Sequence, residues 1–137
     1  MNLLFGGGRG LVSEYDECTD ALVDRTVLTE LQAELGGDHG IISAFVRNYV
    51  QLLPWRVGRL HRALEKLDID DAMDAVLSLK TSSHMVGAIC MNRLATELEI
   101  SIRLLPNADH LDELAAQVQE IDRFVSGTIQ ELETKVE

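Results

Sequence analysis

The sequence predicts an all-α protein, an antiparallel four-helix bundle with one additional short N-terminal helix. Apolar residues recur at spacings of three and four along most of the chain. Only two prolines and an aromatic content of 4% disfavour a strand-rich fold. No segment alternates apolar and polar residues as a strand does. The length of 137 residues, with 46% hydrophobic and 26% charged residues, is typical of one folded domain.

The first two helices are predicted over residues 25–35 and 40–67. A pair of glycines at 36–37 ends the first helix. The second helix contains Pro54, which predicts a kink or a restart at that point. Trp55 follows Pro54, and we expect its side chain to be partly exposed.

Two further pairs of signals delimit the last three helices. Asp68 is a good N-cap for a third helix over residues 69–86, with Gly87 as its stop signal. The fourth helix is predicted from residue 89 to residue 105, where Pro106 follows. Asn107 then caps a fifth helix that continues to about residue 135.

The glycine content divides the chain into two regions. Four glycines interrupt any periodicity in residues 1–20, so we expect a flexible lead-in there. Residues 21–137 should form the helical domain. The first five residues are too short and uncharged for a signal peptide. No apolar run approaches the roughly 20 residues of a membrane span.

The net charge of −11 and the two cysteines suggest a cellular setting. A field of this sign repels phosphate backbones, so neither nucleic acid nor an anionic membrane is expected as a partner. Cys18 and Cys90 lie far apart without a C-x-x-C pattern. This predicts reduced thiols in a cytoplasmic protein.

Catalytic patterns are scarce. The chain lacks H-E-x-x-H, G-x-S-x-G and the carboxylate pattern of di-iron bundles. The four histidines lie on or before four different helices without ligand spacing: His39, His61, His84 and His110. We therefore expect neither an enzyme nor a metal or cofactor site.

The third predicted helix carries an unusual polar stripe. Its small polar residues lie mid-helix, where propensity alone would not place them. At helical spacing, one face offset from the inward stripe collects Met73, Leu77, Lys80, Thr81 and His84. This α3 face, as we call these five residues below, should point outward. It is either a docking patch centred on a leucine or a solvated face with one stray leucine.

Residues 77–88, L-S-L-K-T-S-S-H-M-V-G-A, resemble the pattern H-x-L-K-G-S-S-x-x-x-G-A of histidine phosphotransfer (HPt) domains. Asp68, the Leu98–Glu99 pair and the helix over residues 45–54 are similar to the family's surroundings of that motif. The resemblance implies a five-helix plan over about residues 24–135 and a role in a two-component phosphorelay. The matching positions are Leu79, Lys80, Ser82, Ser83, Gly87 and Ala88.

Two positions depart from the family pattern. The phosphoaccepting histidine falls on Leu77, which has no lone pair and cannot act as a nucleophile. The glycine after the lysine falls on Thr81, and a β-branched residue would obstruct the close approach of a receiver. Lys80 is retained, and in the family this lysine helps to hold the phosphoryl charge. These departures imply a pseudo-HPt domain that has lost phosphotransfer.

We therefore expect an adaptor that binds a response-regulator receiver or a histidine kinase through the α3 face, as a monomer or weak dimer. One alternative is phosphotransfer through His84, seven residues after Leu77 and about 10 Å further along the same face. The other alternative is a bundle that has drifted from signalling and pairs with itself through Leu77.

Overall fold

The computed structural model describes Cys18 and residues 21–104 and 111–136. In this part of the chain the secondary structure is entirely helical, which confirms the all-α class. Helix ends agree with the predicted ranges to within a few residues. The glycine cluster and the predicted cap at Asn107 lie outside the described residues. The helices are α1 (Arg25–Glu34), α2 (His39–Glu65), α3 (Ile69–Met85), α4 (Ile89–Arg103) and α5 (Leu111–Val136).

Aspartate side chains begin the first three helices. Asp24, Asp38 and Asp68 each accept a hydrogen bond from a backbone N–H of the first turn, at 2.8 to 3.1 Å. Each bond satisfies a donor that the helix itself leaves unpaired. Asp68 is thus confirmed as the cap of α3, and Asp70 and Asp71 place negative charge in that first turn, where the helix dipole favours it.

Helix α2 continues through Pro54 as a single helix of 27 residues. Proline has no N–H, so one backbone hydrogen bond is missing inside the helix. The predicted restart is therefore not observed. Trp55 is 59% exposed, which confirms its predicted exposure.

The four long helices enclose one hydrophobic core. Helix α2 packs against α3, α3 against α4, α4 against α5, and α5 packs back against α2, while α1 packs against α2. In this ring of contacts the α3–α4 seam and the α2–α5 seam share no helix and lie on opposite sides of the core. The fully buried apolar side chains include Leu53, Leu60, Leu79, Met91, Leu98, Ile121 and Leu132.

Residues 21–24 form a strap that lies against the turn between α3 and α4. The N–H of Asp24 donates to the carbonyl of Gly87 at 2.7 Å, and the N–H of Cys90 donates to the carbonyl of Leu22 at 3.4 Å. Gly87 has a φ of +77°, and a Cβ built on it would lie 2.7 Å from the Asp24 carbonyl oxygen. The strap can approach this turn only because residue 87 has no side chain.

The strap also brings Cys18 to the start of α4, where it forms a disulfide bond with Cys90 across a sequence separation of 72. Both cysteines are buried. Their Cα atoms are 4.9 Å apart, within the usual range for a disulfide. The prediction of two reduced thiols is therefore wrong for this structure. The bond also fixes one residue of the predicted flexible lead-in to the helical domain.

The end of α2 places a leucine in the left-handed backbone region. Leu67 has a φ of +53°, and among the described residues it is the one non-glycine with a positive φ. The N–H of Asp68 donates to the carbonyl of Ala63 at 2.9 Å. This bond is typical of a helix end in which glycine usually occupies the position that Leu67 has here. Glycines do occupy left-handed positions after α1 and α3. A left-handed L-residue costs about 1–2 kcal/mol.

Replacing Gly87 with alanine should destabilise the fold by about 3 kcal/mol. The new Cβ would meet the Asp24 carbonyl and also lie 3.0 Å from Val27 Cβ, in addition to the unfavourable φ. Gly36→Ala is the matched control, because Gly36 has a φ of +82° but no atom within 4 Å of its added Cβ. The control should lose about 1 kcal/mol in urea unfolding. Equal losses would show that the strap does not constrain Gly87.

The Leu67→Gly variant should have a free energy of unfolding about 1 kcal/mol higher than that of the Leu67→Ala variant. Both variants lack the rest of the leucine side chain, and only alanine keeps a Cβ at a φ of +53°. The same pair of substitutions at Arg62, inside the last turn of α2, should show the opposite order, since alanine is the better helix former. If both positions favoured alanine in urea unfolding, the left-handed conformation of residue 67 would be absent in solution.

Candidate functional site

The five residues of the α3 face differ in how deeply they lie. Met73 and Leu77 are half-buried and pack against the hydrophobic core, and Lys80 is also half-buried. Thr81 and His84 are exposed. Leu77 is therefore not fully solvated, because part of its side chain packs against the hydrophobic core. The face has an apolar centre with polar groups towards the C-terminal end of α3.

Lys80 forms an ion pair with α4. Its Nζ donates to Glu99 Oε1 at 2.8 Å, and Arg103 Nη2 donates to Glu99 Oε2 at 2.6 Å. The Glu99 side chain is only 10% exposed, against 36% for Lys80. The hydrogen bonds from Lys80 and Arg103 hold the pKa of Glu99 below its ordinary value, although burial opposes them. In this structure the positive charge of Lys80 is thus paired with Glu99 of α4.

The serines in the middle of α3 have partners that explain their positions. Ser82 Oγ donates to the carbonyl of Ser78 at 2.8 Å, a bond within the helix. Ser83 is fully buried, and its hydroxyl is hydrogen-bonded to the hydroxyl of Tyr49 on α2 at 2.7 Å. Burial raises the pKa of Tyr49 to about 12, from an ordinary value of 10.0. Ser83 therefore links α3 to α2.

Gly87 and Ala88 end α3 and start the turn into α4. The N–H of Ala88 donates to the carbonyl of Ser83 at 2.9 Å, and the N–H of Gly87 donates to that of His84 at 3.1 Å. Ala88 is fully buried. Each of the six residues that match the HPt pattern thus has a packing or hydrogen-bonding role in this chain. The position that carries the chemistry in that family is Leu77, and it does not match.

The α3 face offers little covalent chemistry. Leu77 cannot accept a phosphoryl group, and the Lys80 ammonium is ion-paired with Glu99. His84 supplies an exposed imidazole in the last turn of the helix. The α3 face thus combines a half-buried apolar centre with an exposed imidazole at His84.

Sequence reasoning did not identify three contacts of this site. The pair of Glu99 with Arg103 has the i,i+4 spacing of a helical ion pair and could have been found. The pairing of Glu99 with Lys80 and that of Tyr49 with Ser83 join different helices. Their relative register follows from packing, and no local pattern indicates it.

No protein family model, curated protein or solved structure matches this chain. Within the residues that the structure describes, no helix is long and apolar enough to cross a membrane. The same residues hold no group of three or more histidine, cysteine or acidic side chains that could bind a metal ion.

Replacing Glu99 with glutamine should destabilise the fold by about 1–2 kcal/mol at neutral pH, because charged hydrogen bonds are lost. The loss stays this small because solvent screens the exposed partners Lys80 and Arg103. Because the pKa of Glu99 is lower in the folded chain, ionised Glu99 stabilises the fold at pH values above its ordinary pKa of 4.5. This stabilisation is lost as the pH falls through the lower, folded-state pKa. The difference from the native chain should therefore shrink in strong acid. Urea unfolding at both pH values measures it, with Glu34→Gln on the exposed side of α1 as control. A difference independent of pH would contradict the ion-paired state of Glu99.

Proposed function

We propose that this chain is a divergent HPt domain, a pseudo-HPt adaptor that binds a receiver domain or a histidine kinase without carrying phosphate. The observation that carries the proposal is Leu77. It stands where the HPt pattern has its nucleophile, and its half-buried side chain is the apolar centre of the α3 face.

The corresponding fold is an antiparallel four-helix bundle of α2 to α5 with α1 as the additional helix. Two features support it. The four long helices contact one another in a ring. The connections between α2 and α3 and between α3 and α4 are only three residues long, which favours antiparallel neighbours.

The partner contact would centre on Met73 and Leu77. Protein interfaces commonly have a desolvated apolar centre within a polar rim, and the centre supplies most of the binding energy. Thr81 and His84 would form part of that rim. Lys80 contributes to the interface mainly by holding α4 beside α3 through Glu99, because its charge is already paired.

This function would place the protein in the cytoplasm, where disulfides are uncommon and usually catalytic or redox-sensing. The bond between Cys18 and Cys90 weighs against that location. Alkylating free thiols at the moment of cell lysis, followed by mass spectrometry, distinguishes the two states. Recovery of the intact disulfide would indicate an oxidising compartment and would exclude a cytoplasmic partner.

A second candidate is phosphotransfer through His84. The exposure of its imidazole on the α3 face favours this alternative. Lys80 would then lie one turn before the nucleophile instead of one turn after it. The exposed imidazole also lacks the small-residue surroundings of the HPt pattern, which ranks this candidate below the adaptor.

The decisive experiment measures binding and label transfer with phosphorylated receivers from the same organism. We expect binding without transfer. Leu77→Asp and Thr81→Arg should each weaken binding at least about tenfold, because the first places charge at the desolvated centre and the second places a long side chain at the rim, where it holds the partner away. Thr81 is exposed, so its substitution tests the face without disturbing the core. Ile100→Asp, at an exposed isoleucine of α4, is the control and should bind normally.

Three outcomes of the binding experiments would also overturn the adaptor proposal. Label transfer that disappears in a His84→Ala variant would identify a working phosphotransfer protein. Absence of binding to every receiver and kinase would leave a structural bundle. A stable dimer that Leu77→Asp dissociates, seen by sedimentation at several concentrations, would identify the α3 face as a self-association surface.

A further inference from the structure

An apolar groove lies between the end of α2 and the start of α5. Its volume is about 280 Å³. Leu67 and Leu111 flank it with side chains that are 55% and 45% exposed. Its lining is predominantly apolar and includes Leu64, Leu67, Leu111, Leu114, Ala115 and Val118.

The leucine at position 67 is not explained by the fold. Its left-handed backbone costs energy that a glycine would avoid, and the chain uses glycines at the ends of α1 and α3. More than half of the surface of Leu67 is exposed to solvent, so burial offsets little of that cost. When a residue keeps an unfavourable backbone conformation and exposes an apolar side chain beside a groove, its side chain is a candidate contact for another molecule.

The charges at the groove are acidic. Glu65 lines it, and Asp112 is exposed in the first turn of α5. Asp122 lies one turn beyond the groove, where His61 Nε2 is hydrogen-bonded to its carboxylate at 2.8 Å. The nearby cations Arg62 and Lys66 are exposed, and neither of them lines the groove. With a net charge of −11 on the whole chain, this groove suits a basic partner.

The volume of the groove indicates what it can accept. Sites for small molecules usually occupy about 300–1,000 Å³, so this groove is at or below the lower limit. It is large enough for an apolar side chain of another protein. An amphipathic helix laid across two helices commonly inserts such side chains into a groove of this kind.

We propose that the α2–α5 groove binds a basic amphipathic helix of a partner protein, with an apolar side chain inserted between Leu67 and Leu111. The site lies across the core from the α3–α4 seam and shares no helix with it. The chain could therefore hold two partners at once, one on each side. This inference does not depend on what binds the α3 face.

The test uses a synthetic peptide of about 18 residues, or five helical turns, with leucine at positions i, i+3, i+4 and i+7 and lysine elsewhere. A second peptide carries glutamate in place of each lysine. NMR amide shifts of the full chain should change around residues 61–67 and 111–119 with the basic peptide only. Binding of the acidic peptide with similar affinity would overturn the charge assignment.

Two variants separate the side chain from the backbone strain. Leu67→Gly and Leu67→Ala should both weaken binding of the basic peptide at least about tenfold, because both lack the apolar side chain that enters the interface. This loss should be similar even though the two variants differ in stability. Ile100→Ala removes an equally exposed side chain on α4 and should leave binding unchanged. Equal weakening by the Ile100 variant, or shifts centred on the α3 face or spread over the whole surface, would overturn the proposed site.

Discussion

The contact between Asp24 and Gly87 is the constraint on which one end of this domain depends. Gly87 closes α3, turns the chain into α4 and leaves room for the strap to pass at hydrogen-bonding distance. The strap in turn brings Cys18 to Cys90. The turn starts α4 beside the end of α3, and across that seam Lys80 Nζ donates to Glu99 Oε1 at 2.8 Å.

Local patterns predicted the helices because each depends on residues close in sequence. Periodicity defined α2 to α5, and Asp68 marked the start of α3. The sequence could not predict the disulfide, because the path of the strap depends on contacts with distant helices. The left-handed backbone of Leu67 was equally hidden, since the usual signal for that conformation is a glycine.

The candidate site was predicted in position more than in character. Spacing placed Thr81 and His84 on the exposed side of α3, and both are exposed. It did not show that Leu77 packs against the core or that Glu99 neutralises Lys80. The residues that resemble the HPt pattern are those that pack, cap and link helices. A chain can keep such a pattern for structural reasons alone, so the pattern by itself does not specify phosphotransfer.

The disulfide determines which segments of the chain a stretching force would reach first. Cys18 and Cys90 close a covalent loop that contains α1, α2 and α3, and leaves α4 and α5 outside it. Tension applied before Cys18 and after α5 would pass through the sulfur–sulfur bond directly into α4. The looped helices would not be stretched while the bond was intact, although removal of α4 and α5 would expose the core residues that they cover. Reduction would return the whole chain to the path of the force.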